Sequence, residues 1–267
     1  MPIARLEPAA WGECALEDGE IRRFSIGRLT LHCRRDGDEI LLASEKDDDS
    51  RPNDTDLLWY RWAVKEGVTT LHLAPRLPDR PVVVGPEQPF HVAPGAEARI
   101  FVMVPLVAAV ELSSGGNADE PVVLREFPTE TLSQTWFGEL EDGELCYWLP
   151  TIARREVEAT PGEDAPRVRA PVRIVNGSTD VLPVSRVCLR VGGLALYEKD
   201  GVLWSNETRA VFRGGAARSE ITIRRGPPPE AAGGRRVGFR REAPATGLVA
   251  RTFRSLQRLS LWPGDED

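Results

Sequence analysis

Apolar and polar residues alternate with a period of two over much of the chain, in short runs cut by Gly, Pro, Asn and Asp. That period belongs to half-buried β-strands, and helical spacing is nearly absent until the C-terminal end. Residues 24–33 alternate, Asp36-Gly37 suits the positive φ of a tight hairpin, and 40–44 reads as the returning strand. Further strands are expected at 57–64, 69–73, 81–84, 90–92, 98–104, 108–112 and 122–124. A second series covers 145–149, 152–157, 168–175, 182–191, 194–197, 202–204, 210–212 and 221–223. Pro94-Gly95 fits a type II turn, and Asn176-Gly177 and Asp200-Gly201 are further turn signals.

Strand after strand at this spacing is the cadence of a sandwich or barrel. The pattern predicts an all-β protein of two immunoglobulin-like or related β-sandwich domains, one over residues 1–125 and one over 126–225. Each is long enough for a core of its own, and a single continuous sandwich is the alternative. Residues 226–247 are rich in Pro, Gly and Arg and read as a flexible linker. Residues 248–262 carry the one helical period, with Val249, Phe253 and Leu256 on one face and Arg251, Arg254 and Arg258 on the other. A short C-terminal amphipathic helix is expected there.

Composition narrows the chemistry. With 41% hydrophobic and 28% charged residues the chain is globular rather than disordered. The longest apolar run, 100–110, is well short of the roughly 20 residues of a spanning helix. The N-terminus has no basic stretch followed by an apolar one, so a cytoplasmic protein is expected. Cys14, Cys33, Cys146 and Cys188 lie far apart without a C-x-x-C pair and read mostly as buried small hydrophobes. The three histidines, His32, His72 and His91, all fall in the first third. His32 and Cys33 would point to opposite faces of a strand, so they do not share a metal. No phosphate-binding loop, dinucleotide fingerprint or nucleophile elbow occurs, and the acidic run from Asp47 fails as a calcium loop because Pro52 stands where glycine is needed. No cofactor and no metal are expected.

The most distinctive string is Leu132-Ser133-Gln134-Thr135-Trp136-Phe137-Gly138, followed by Gly143-Glu144-Leu145-Cys146-Tyr147. With 81–87 upstream and 171–176 and 194–197 downstream, the chain resembles a prokaryotic domain-of-unknown-function family of all-β proteins, best represented among archaea. The resemblance spans about residues 20–215 and implies no activity and no catalytic residues.

Trp136, Phe137 and Tyr147 are the candidate binding residues of this string, either as core plugs or as the wall of an aromatic groove. Glu139, Glu141, Asp142 and Glu144 beside them are the carboxylates that an enzyme acting on a carbohydrate or another polar ligand would use. Arg251, Arg254 and Arg258 are the candidate contacts of the tail. Residues 221–267 hold nine arginines against five acids, a net +4, so the net charge of −7 conceals −11 on the first 220 residues. That asymmetry predicts association rather than catalysis: a non-catalytic binding or scaffolding protein whose basic tail meets its own body, a partner, a second copy or the inner membrane surface. Nucleic acid is not favoured, because no recognition motif accompanies the charge.

Overall fold

A computed structural model describes residues 6–8, 11–46, 57–65, 70–112, 121–141, 143–155, 166–214, 218–243 and 248–254. Their regular structure is nearly all strand, and none of their helices is long and apolar enough to cross a membrane. The first sheet runs β1 (Leu6–Pro8), β3 (Ile21–Ile26), β4 (Leu29–Asp36), β5 (Glu39–Lys46) and β6 (Tyr60–Ala63) in that spatial order. Its β4–β5 hairpin pairs Asp36 with Glu39, and Gly37 takes φ +58° in the two-residue turn. The second sheet runs β12 (Val122–Pro128), β11 (Val107–Leu112), β7 (Thr70–Arg76) and β2 (Gly12–Ala15). Alternate residues of both, among them Phe24, Leu31, Leu42, Leu71, Val110 and Phe127, close one core.

A second core lies between two other sheets. One runs β13 (Ser133–Phe137), β14 (Glu144–Ala153), β8 (Val82–Pro86), β17 (Arg186–Leu189) and β24 (Phe253–Arg254). The other runs β22 (Arg235–Gly238), β18 (Leu196–Lys199), β19 (Val202–Ser205), β15 (Arg167–Asn176), β20 (Thr208–Phe212), β21 (Arg218–Ile223) and β23 (Leu248–Arg251), with β10 (Glu97–Pro105) also paired to β15. A short pair, β9 (Phe90–Val92) with β16 (Leu182–Val184), completes the set. Val82, Val84, Ile100, Val102, Val172, Ile174, Val187, Leu189 and Phe253 meet in this core. Each large side chain so buried contributes about 1.5–3 kcal/mol. Trp11 packs against both cores.

Three features depart from the sequence reading. The expected division at 125/126 falls inside β12, and β8–β10 belong to the second core although β11 and β12 return to the first. The strand orders are also unlike the Greek key of an immunoglobulin domain, since β3–β6 form a meander and β14 pairs parallel to β8, as β20 does to β15.

The linker and the helix are corrected. Residues 229–231 form a 3-10 turn with Ala231 buried, and β22 pairs with β18. Gly238 lies so close to β7 that a Cβ there would stand 2.6 Å from the Pro75 carbonyl oxygen. Residues 248–251 and 253–254 are strands: Arg251 pairs with Arg218 and Arg254 with Arg186. Period-four spacing placed Val249 and Phe253 on one helical face, yet the open edges of two sheets offered backbone partners, and tertiary pairing overrode so weak a local signal. Arg258 lies outside the described residues.

Candidate functional site

The outer face of the sheet β13-β14-β8-β17-β24 carries the densest chemistry. In β17, Val187 and Leu189 point into the large core, so Arg186, Cys188 and Arg190 share the opposite face. In β14 the same alternation puts Glu144, Cys146 and Trp148 outward, while Tyr147 and Leu149 face inward. The two triplets meet diagonally past β8, offset by two residues, with Cys188 level with Trp148 through Val83. Arg190 donates to the Glu144 carboxylate, the Cys146 and Cys188 sulfurs lie 3.8 Å apart, and the Arg186 guanidinium lies 5.2 Å from the centre of the Trp148 ring. Val83 of β8 and Phe137 of β13 join the thiols in a small buried cluster.

Both sulfurs are screened from water, with Cys146 0% and Cys188 1% exposed, and neither is in a disulfide. A hydrogen bond from the Cys188 thiol holds the Cys146 thiol below its ordinary range. The same bond, together with burial, pushes Cys188 up. Cys33, deep in the first core, is instead pushed up chiefly by burial and is a packing residue.

The β13–β14 hairpin sets Trp136 directly opposite Leu145 on the other face. These are 45% and 41% exposed, and Leu140 in the turn is 91% exposed. The Trp136 indole N–H donates to the Glu139 carbonyl at 2.9 Å, folding the ring over the turn. Gly143 is needed there, because a Cβ would stand 2.3 Å from the indole nitrogen and 2.6 Å from the Glu139 carbonyl oxygen.

The candidate residues therefore separate. Trp136 is exposed. Phe137 is 3% exposed and belongs to the thiol cluster, so it walls no groove, because the pleat turns it to the face opposite Trp136. Tyr147 packs on the large core, its hydroxyl donates to Asp79 at 2.9 Å, and burial with that bond raises its phenol. Arg251 pairs with Arg218 in the opposing sheet, while Arg254 pairs with Arg186 at the far edge of this one. Glu139 and Glu141 are exposed in the turn while Glu144 is tied to Arg190, and Asp142 lies outside the described residues. No catalytic carboxylate pair forms among the described ones.

The thiol pair was missed because Cys146 and Cys188 are 42 residues apart. The available signal was the matching alternation Glu-x-Cys-x-Trp and Arg-x-Cys-x-Arg at 144–148 and 186–190.

A family described as "Protein of unknown function (DUF432)" matches residues 10–257. The chain belongs to this family. The match takes in both cores, the thiol face and the hairpin, as the string around Trp136 implied, and the family description assigns no activity. No curated protein and no solved structure matches the chain.

Proposed function

We propose that the chain is a non-catalytic binding protein and that the β13–β14 hairpin is its contact element, taking an extended, apolar segment of a partner protein. The observation that carries this reading is the exposed Trp136–Leu145 cross-strand pair on the strand that ends its sheet, with Leu140 beside it. An end strand offers backbone donors and acceptors to an added strand, and an aromatic next to that edge supplies the anchoring contact. The dispersed carboxylates support binding over hydrolysis.

A photo-crosslinking residue in place of Gln134 on β13 tests the reading in the protein's own cells. A discrete adduct with one protein is expected, and Trp136→Glu should abolish it in a chain that still unfolds in a single cooperative urea transition. Adducts that persist in Trp136→Glu, or that match those from a crosslinker at Glu39 on the first sheet, would count against it.

A further inference from the structure

The pair formed by Cys146 and Cys188 has a geometry that packing alone does not require. The two cysteines sit on strands that flank β8, Cys188 level with Val83 and Cys146 towards the start of β8. Their side chains lean towards each other, and the sulfurs lie 3.8 Å apart. Two thiolates on one tetrahedral zinc, each at about 2.3 Å, lie about 3.8 Å from each other.

A third donor completes the arrangement. A carboxylate oxygen of Glu144 and the two sulfurs all lie within 4.8 Å of one another. Glu144 already accepts from Arg190, and a carboxylate has lone pairs enough to hold that bond and a cation together. Metal-bound carboxylates are ordinarily steadied by such an outer partner. Charge also balances: two thiolates and a carboxylate are offset by a divalent cation and the Arg190 guanidinium, as a buried site needs. The half-buried Glu144 lies on the open side of the otherwise closed pair.

We propose that Glu144, Cys146 and Cys188 form a binding site for one thiophilic divalent cation of the zinc class, with Arg190 as the residue that orients the carboxylate. Binding displaces the thiol protons to solvent and involves no change of oxidation state. The site is independent of the hairpin's proposed partner, and its test needs none.

The experiment uses the full chain, fully reduced and stripped of metal, with cobalt(II) as the probe. One equivalent should produce a thiolate-to-cobalt charge-transfer band and the intense visible absorption of tetrahedral cobalt, both abolished by zinc(II). Cys146→Ser and Cys188→Ser should each remove at least half of the charge-transfer intensity, and Glu144→Gln should weaken cobalt binding about 10–100-fold. Cys14→Ala, in the other core, should leave the spectrum unchanged. The absence of a charge-transfer band in the wild-type chain, with its thiols shown to be reduced, overturns the proposal without recourse to any variant. A band that survives loss of both cysteines overturns it too, as does ready oxidation to a Cys146–Cys188 disulfide in a chain that stays folded.

Discussion

Glu207 is the buried carboxylate on which most positive charge converges. It is 1% exposed and sits where the chain passes from β19 to β20 along β15. Arg99, Arg173 and Arg224 reach it at 2.7, 3.3 and 3.2 Å, and Arg99 also holds Glu230. Burial by itself raises the Glu207 carboxyl, but the hydrogen bonds from Arg173, Arg224 and Arg99 outweigh it, and the net displacement is downward. Glu230 is lowered first by its Arg99 hydrogen bond. For both groups the unfolded chain takes up the proton more readily than the folded one. Their contribution to stability is therefore present above the ordinary carboxylate value of about 4.3 and is lost as pH falls through the lower folded values. The urea midpoint should fall as pH is taken below about 4. Glu207→Gln should cost about 1.5–3 kcal/mol at neutral pH, the range for lost hydrogen bonds to a charged group, because the arginines stay partly solvated and two keep a second carboxylate. It should also flatten the acid limb of the profile. A variant as stable as wild type at pH 7, or as acid-sensitive, would refute this role. None of it was legible along the sequence, where Glu207 is one acid among 41 Asp and Glu residues.

Turns and strands were the elements most open to sequence reasoning. Ala93-Pro94-Gly95-Ala96 closes as expected, with Gly95 at φ +73° and the Ala96 amide donating to Ala93 at 3.0 Å. Asp200 and Gly201 both take positive φ in the β18–β19 hairpin, as their residue types allow. Both turns are set by local backbone preference. The tail was misread because seven residues satisfy a helical and a strand period almost equally, and the neighbours that decide between them lie far away in sequence. β23 finishes one sheet of the second core and β24 the other, with Phe253 3% exposed. Ending the chain after residue 247 should therefore destabilise the second core rather than release a dispensable arm. Phe253→Ala alone should cost about 3–5 kcal/mol. Both are read from urea unfolding followed by far-ultraviolet circular dichroism. A truncated chain with the wild-type midpoint would restore the free-tail picture.

At the scale of the molecule, the segment expected to be a linker joins the two cores. Arg241 donates to the Leu77 carbonyl at 2.7 Å and bidentately to Glu126 of β12 at 2.8 and 2.7 Å. The backbone amides of Arg241 and Glu242 bond the Gly192 carbonyl. Arg76 extends the contact by bonding the fully buried Glu111 at 2.8 Å and approaching Glu126 at 3.6 Å. Arg241→Ala should cost about 2 kcal/mol, the range for hydrogen bonds to a charged group. It should also separate the unfolding of the cores, seen as circular dichroism and tryptophan fluorescence transitions that no longer coincide. A single unshifted transition would show that the contact does not couple them. By itself the amino-acid sequence determined the β class, most strand positions and the hairpin turns, because side-chain alternation and glycine conformation are local properties. Tertiary structure alone decided which strands share a core, that the basic tail closes sheets, and that Glu144, Cys146 and Cys188 converge. The physical reason is that pairing partners, buried charges and ligand sets are chosen between segments distant along the chain, through hydrogen bonds and desolvation that no local pattern records.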